Sequence, residues 1–245
     1  MMDRQAQNEP GMNESGDARP LRVLITAGPT REPLDPVRYL SNRSSGKMGY
    51  ALASAAVALG HRVTLVSGPV ALAPPDGCRL VAVETAAEMH AAVERICRQA
   101  PAPEVAVLAA AVADFRPATV AASKLKKGGE LRSGLQLRLE PTEDILAGMR
   151  SRFGFDGLLV GFAAETGDLI ANAMDKLRRK RCDLMVANPV GAAAGGAGFD
   201  SDENILTLCY PDGRTEAWGR DSKDRLAVRL MELCTRLSRK LQDQS

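Results

Sequence analysis

Residues 28–49 read Gly-Pro-Thr-Arg-Glu-Pro-Leu-Asp-Pro-Val-Arg-Tyr-Leu-Ser-Asn-Arg-Ser-Ser-Gly-Lys-Met-Gly. They join an apolar run, Arg22 to Ala27, to a helical pattern that begins near Lys47. Strand-to-helix connections in α/β units usually take about 2–6 residues. This one is several times longer and dense in Gly, Pro, Ser, Asn and Arg. A long polar connection at the carboxyl end of a first strand is where α/β sheets place their ligands. Its composition suits an anion: small residues let the backbone come close, and a helix N-terminus follows. A purely structural loop is the alternative, but loops of this length inside compact domains usually carry function.

Two familiar phosphate motifs are absent. A P-loop needs Gly, then four residues of any kind, then Gly-Lys-Ser/Thr. Here position 41 is Ser, and Gly46-Lys47 is followed by Met48. A dinucleotide fingerprint needs Gly-x-Gly-x-x-Gly directly between strand and helix, and this spacing does not occur. The remaining composition narrows the classes further. A formal charge of +2 leaves no nucleic-acid footprint at whole-chain level. Cys78, Cys97, Cys182, Cys209 and Cys234 are scattered without a Cys-x-x-Cys pair, against both a disulfide framework and a zinc site. His61 and His90 are the only histidines, which weakens a metal or Ser-His-Asp reading. No apolar run approaches the roughly 20 residues of a membrane span, and no secretory signal is visible. The expected compartment is the cytoplasm, with no membrane or nucleic-acid partner.

Residues 1–20 read as a disordered leader or linker, and 21–245 as one domain. Strands are expected over Arg22–Thr26, Arg62–Val66, Arg79–Val83, Val105–Ala110, Leu158–Phe162 and Leu184–Ala187. Between them, Met48, Leu52, Ala55, Ala56 and Leu59 mark a helix face, and Thr85-Ala-Ala-Glu88 is a capping box. Thr142 is expected to cap a short helix over 143–149. Asp168–Lys180 reads as a helix. Asn188 to Asp200 is Gly/Ala-rich. Ile205–Tyr210 and Thr215–Trp218 form a hairpin around Asp212-Gly213, followed by a helix from about Asp221. The sum is an α/β, Rossmann-like, doubly wound and mostly parallel sheet with an antiparallel C-terminal hairpin.

Each polar cluster falls just after an expected strand. These are Asn42 to Lys47; Ala109 to Pro117 with Asp114; Phe162 to Thr166; and Asn188-Pro189. In a parallel sheet such loops lie along one edge and converge on one crevice. Asp114 is placed to accept from ribose or base or to help hold a divalent cation; a turn or cap Asp is the other reading. Lys124-Leu-Lys126-Lys127 is a basic run on a Gly-flanked loop, either a solvated face or a movable charge for a triphosphate. Lys176 and Lys180 share a helix face at i,i+4. They are either a solvated helix end, favoured by the dipole, or phosphate contacts. Cys182 is either a perturbed thiol or a buried structural one.

Six motifs in register then carry a resemblance. Thr26 to Gly49, Ala110-Ala-Val-Ala-Asp-Phe-Arg116, Lys124-Leu-Lys-Lys127, Asp144-Ile-Leu146, Val160-Gly-Phe-Ala-Ala-Glu165 and Lys176–Lys180 with Asp183–Asn188 closely resemble the phosphopantothenate–cysteine ligase family. The resemblance runs from about residue 21 to 235. It implies a ligase of coenzyme A synthesis: CTP and 4′-phosphopantothenate give an acyl-cytidylate and pyrophosphate, and L-cysteine then displaces CMP. It implies CTP as co-substrate and Mg²⁺, with no metal ligands assigned. It implies that Asn42 holds the acyl-cytidylate and that Lys124 acts on a flap in the cysteine step. Gly46 and Lys47 would face phosphate, and Leu108, Ala109, Ala110 and Asp114 would bind base and sugar. Glu143, Asp144, Ile145, Leu146, Phe162, Lys176 and Lys180 would complete the CTP site. Pro141-Thr142-Glu143-Asp144 departs from the Asn-Pro-Asp or Thr-Pro-Asp form common in relatives. The resemblance also implies a homodimer and, in many bacteria, fusion to a flavin-dependent decarboxylase. A non-catalytic nucleotide-binding module and an ATP-using ligase stand as alternatives. An oxidoreductase is disfavoured, because the second strand ends Val66-Ser67-Gly68-Pro69 with no acidic residue for a ribose.

Overall fold

The computed structural model describes residues 19–126, 134–191 and 201–243. Along the chain come β1 (Arg22–Ala27), β2 (Arg31–Pro33), β3 (Tyr39–Ser41), α1 (Lys47–Ala58), β4 (Arg62–Ser67), β5 (Arg79–Ala82), α2 (Ala86–Arg98) and β6 (Val105–Leu108). There follow β7 (Phe115–Pro117), β8 (Leu139–Pro141), α3 (Ile145–Ser151), β9 (Leu158–Glu165), α4 (Leu169–Lys180), β10 (Leu184–Pro189), β11 (Glu203–Cys209), β12 (Thr215–Ser222) and α5 (Lys223–Gln242). The main sheet has the order β12-β11-β10-β9-β6-β1-β4-β5. β5 through β10 in that order run parallel, and β11 and β12 are antiparallel. This is the expected doubly wound sheet with an antiparallel edge.

Period-two alternation divides the strands between two cores. Ile25, Leu65, Val107, Val160 and Val186 face α1 and α5. Leu24, Val66, Ala106, Leu159 and Met185 face α2, α3 and α4. Both faces of the central strands are therefore covered, which explains their near-continuous apolar runs. From β1 the chain builds outward through β4 and β5, then returns to β6 on the other side of β1. Loops leaving β1 and β6 thus diverge, and a crevice opens between them.

Several boundaries differ from the sequence-based expectation. The stretch after β1 is not one loop: residues 31–41 fold into the β2–β3 hairpin, with Arg31 paired to Ser41. β6 stops at Leu108, so Ala109 and Ala110 leave the strand. β9 runs on to Glu165, because β10 pairs with it as far as Pro189; Phe162 and Ala164 are strand residues. The capping box is present: Glu88 N–H donates to Thr85 Oγ1 at 3.1 Å, and Glu88 Oε2 accepts from Thr85 N–H at 3.4 Å. Residues 1–18, Lys127 and 192–200, which include most of the expected leader and the Gly/Ala-rich segment, lie outside the described residues.

Opposite the crevice, at the amino ends of the strands, Glu104 gathers the chain ends. Its carboxylate accepts from Arg22 N–H at 3.0 Å and from Gln242 Nε2 at 3.1 Å, and pairs with Arg19. Arg19 also donates to Gln242 Oε1 at 3.3 Å. On the crevice side, two contacts admit only glycine. A Cβ on Gly68 would lie 1.8 Å from the Pro29 carbonyl oxygen. A Cβ on Gly49 would lie 2.5 Å from Ala27 Cβ, where α1 crosses β1. Gly49→Ala must push the start of α1 away from β1. The expected loss is about 1–3 kcal/mol by overpacking, read as a lower urea midpoint with an unchanged m-value.

Candidate functional site

The crevice is a cleft of about 560 Å³ along the carboxyl edge of the sheet. Its floor is the backbone after β6. Ala109 N–H donates to the Thr26 carbonyl at 3.2 Å, and Ala110 N–H donates to Thr26 Oγ1 at 3.2 Å. Thr26 is buried, so its hydroxyl fixes the turn from below. One wall is the segment before α1. Gly46 sits at φ +76° as the N-cap, a left-handed conformation that glycine adopts without steric cost. The Asn42 side-chain amide donates to the carbonyls of Ala111 at 3.1 Å and Val112 at 3.0 Å. Asn42 therefore ties the loop after β1 to the loop after β6 at the cleft mouth.

The opposite wall is the start of α3. Thr142 was expected to cap this helix, but Asp144 does so: its Oδ1 accepts from Ala147 N–H at 2.9 Å. Thr142 Oγ1 donates instead to the Ala113 carbonyl at 2.6 Å, and Thr142 N–H to the Asp114 carbonyl at 2.9 Å. The tertiary bonds win over the local cap, and they bring Asp114 and Glu143 to the same side of the cleft. Glu143 Oε2 is buried and has no hydrogen-bond partner; Arg116 Nη1 lies 3.6 Å away.

Three lysines on this edge are paired with carboxylates of the chain. Lys176 Nζ donates to Glu165 Oε1 at 2.7 Å. Lys180 pairs with Asp144 Oδ2. Lys47 Nζ donates to Asp202 Oδ1 at 2.7 Å. Burial opposes ionisation of Asp144, but the Lys180 ammonium and the Ala147 N–H outweigh it and hold the carboxyl below its ordinary value. Cys182 is the structural thiol of the two readings: burial pushes it up to about 12.

Of the residues singled out from sequence, Asn42, Gly46, Lys47, Leu108, Ala109, Ala110 and Asp114 line this one cleft, as do Glu143, Asp144, Ile145, Leu146, Phe162 and Lys176. Lys180 stands behind Asp144. Lys124 is not in the lining; it is exposed beside the β2–β3 hairpin. Its neighbour Leu125 is held there by Asp35, whose Oδ2 accepts Leu125 N–H at 3.1 Å, and by Arg38, which donates to the Leu125 carbonyl at 2.6 Å. Among the lining residues that escaped notice as site candidates are Asn204 of β11, Lys223 at the first position of α5, and Arg43. Arg43 lies inside the motif already quoted. Asn204 and Lys223 come from the antiparallel edge, where no recognisable string marks them.

The Lys180–Asp144 pair gives a pH signature. The folded-state pKa of Asp144 is lowered, so its contribution is present above the ordinary carboxylate pKa and is lost as pH falls through the lowered value. Asp144 is half exposed, so the pair is discounted to about 1 kcal/mol or less. Lys180→Met should lower stability by about that amount at pH 7. The gap should shrink as urea titrations are moved to acid pH.

Comparison with known proteins bears on what occupies such a cleft. The family model described as "DNA/pantothenate metabolism flavoprotein C-terminal domain" matches residues 19–237. The chain is 47% identical over 212 residues to the coenzyme A biosynthesis bifunctional protein CoaBC of Vibrio cholerae, covering 86% of this chain and 51% of that protein. It is 44% identical over 223 residues to the CoaBC of Escherichia coli, covering 88% and 54%. The chain thus spans about half the length of the curated relatives it matches. A crystal structure of the C-terminal domain of a CoaBC superposes with a TM-score of 0.70 at 38% identity, covering 91% of this chain and 96% of that one. A Cab2 mutant in complex with phosphopantothenate-cysteine shares the fold, with a TM-score of 0.73 at 17% identity over 91% of this chain and 88% of that one. The fold, the motifs and these matches agree: the chain belongs to the DNA/pantothenate metabolism flavoprotein C-terminal domain family, the phosphopantothenate–cysteine ligase family that its motifs resemble.

Proposed function

We propose that the chain joins 4′-phosphopantothenate to L-cysteine through an acyl-cytidylate, with CTP as the activating nucleotide. The observation that carries this reading is the convergence of the loops after β1 and β6 with the carboxyl ends of β9 and β10 on one cleft edged with lysines. The relatives named for coenzyme A biosynthesis support the same role, as does the phosphopantothenate-cysteine complex of a protein sharing the fold.

The chemistry suits these residues. A carboxylate is a poor acyl donor, so its oxygen must first be made a leaving group. The carboxylate oxygen attacks the α-phosphorus of CTP; the new P–O bond forms as the bond to the β-phosphate bridge breaks, releasing pyrophosphate. The cysteine amine then attacks the acyl carbon, CMP departs, and the amine proton is lost. Both steps depend on positioning and charge stabilisation more than on a protein nucleophile, which fits a cleft with no histidine in its lining. Lys47, Lys176 and Lys180 would meet phosphate by exchanging their carboxylate partners. The backbone over 108–110 and Phe162 would hold the base, and Asp114 the sugar. Asn42 would hold the acyl-cytidylate at the junction it already bridges. Lys124, outside the cleft, would act from its loop in the cysteine step.

Among the described residues no cluster of three or more His, Cys, Asp or Glu is built to cage a metal. Mg²⁺ commonly uses one or two carboxylates plus substrate phosphates. The buried Oε2 of Glu143, which has Arg116 3.6 Å away but no hydrogen-bond partner, fits that role with Asp114 on the same side. Mg²⁺ would neutralise charge developing on the phosphates.

The purified chain should release pyrophosphate from CTP with 4′-phosphopantothenate and Mg²⁺, and CMP and the cysteine amide should appear only when cysteine is added. Release with ATP alone would replace the nucleotide; no release from folded protein would overturn the ligase reading.

A homodimer is part of the same proposal. Val37, Tyr39, Phe115, Leu137 and Leu139 are exposed apolar residues of or beside the β2–β3 and β7–β8 pairs. Such a concentration marks an interaction surface. Sedimentation of the wild type should give about twice the chain mass, and Phe115→Asp should shift it towards the monomer. A monomeric wild type at assay concentrations would remove the dimer.

A further inference from the structure

The cleft edge where α1 and α5 begin presents an electrostatic conflict. α1 and α5 pack against each other on one face of the sheet, and both begin at the cleft. Each carries a lysine at its first position, Lys47 and Lys223. Both lysines line the cleft. A cation at a helix N-terminus faces the positive end of the dipole and is disfavoured. Here the choice is made twice, side by side. Lys223 is moreover 5% exposed, a rare degree of burial for a lysine. Local rules broken without structural gain are expected at functional sites.

Residues just ahead of β11 meet both lysines, a carboxylate at Lys47 and backbone carbonyls at Lys223. Lys47 Nζ donates to Asp202 Oδ1 at 2.7 Å. Lys223 N–H donates to the Asp202 carbonyl at 2.8 Å, and Lys223 Nζ to the Ser201 carbonyl at 2.6 Å. The Asp202 side chain is itself 87% exposed, so it rests on the edge of the cleft and fills no core position. An exposed carboxylate is a weak tether, and two helix N-termini add their own attraction for an anion.

We propose that Lys47 and Lys223 form a two-lysine seat for a phosphoryl group, with the carboxylate of Asp202 occupying Lys47 in the free chain until substrate displaces it. This makes Lys223 a substrate-binding residue and Asp202 an internal competitor at Lys47. The inference rests on the ligase reading for the identity of the anion only. A phosphoryl group reaches the cleft from two sources, the nucleotide's polyphosphate and the phosphomonoester of the acid substrate, and the lysines recognise either.

The test is anion binding without turnover, so that it stands apart from the ligase assay. Inorganic pyrophosphate, inorganic phosphate and 4′-phosphopantothenate are titrated calorimetrically into the wild type, Asp202→Asn and Lys223→Gln at low ionic strength. Asp202→Asn removes the competitor from an exposed position and should tighten one of these anions by about two- to fivefold, the scale of an exposed ion pair. The gain should fade as salt screens it. Lys223→Gln should weaken the same anion. Lys223→Arg, which keeps the charge, should restore most of the loss if Lys223→Gln folds poorly. Tightening of pyrophosphate assigns the seat to the nucleotide; tightening of 4′-phosphopantothenate assigns it to the acid substrate. Unchanged or weaker binding of every anion by Asp202→Asn would overturn the proposal. So would a loss seen only with Mg²⁺ present, because Asp202 would then be carrying the cation.

Discussion

The cleft exists because β1 and β6 are hydrogen-bonded neighbours whose chains leave in opposite directions. Parallel pairing of Val23 through Thr26 with Val105 through Leu108 fixes the two strand ends side by side. The chain after β1 must then climb over one core, and the chain after β6 over the other. Backbone groups freed at this divergence need partners. Thr26, Thr30 and Asn42 supply them: Thr30 Oγ1, for instance, accepts Ala113 N–H at 3.0 Å. Rigidity of the site is thus a by-product of satisfying the sheet's own hydrogen bonds.

Charge in the cleft is organised on the same plan. Lys47, Lys176 and Lys180 each meet a carboxylate of the chain rather than water. Paired lysines lose less conformational freedom on meeting a ligand than free ones would, which favours affinity. Pairing also keeps the basic edge from acting as an indiscriminate anion trap. The carboxylate partners come from β9, the start of α3 and the approach to β11, so ligand exchange at the lysines bears on three elements together.

Much of this was legible in the sequence, for identifiable reasons. Apolar alternation places β1, β4, β6, β9 and β10, and the side chains that line the cleft from these strands lie in contiguous strings at their ends. The capping box at Thr85 and Glu88 is a local signal and appears as written. Local signals fail where two are equivalent or a distant partner decides. Thr142 and Asp144 are both good N-caps, and only the bond from Thr142 to Ala113 settles which is used. The β2–β3 hairpin has strands of three residues, too short for alternation to register. Lys223 is invisible because its role depends on α5 beginning at the cleft, a fact of topology. Its one trace is a lysine directly after the capping Ser222, at a helix end that ordinarily prefers acids.

The knot of Arg19, Glu104 and Gln242 fixes where any attached polypeptide would depart. Both described ends of the chain meet at the amino edge of the sheet, and β1 stands between them and the cleft. A six-residue strand spans roughly 20 Å. A domain joined ahead of Arg19 would therefore be tethered from the pole opposite the cleft. Any compound made in such a domain would have to travel around the sheet rather than through it, and tether length would govern its local concentration at the mouth.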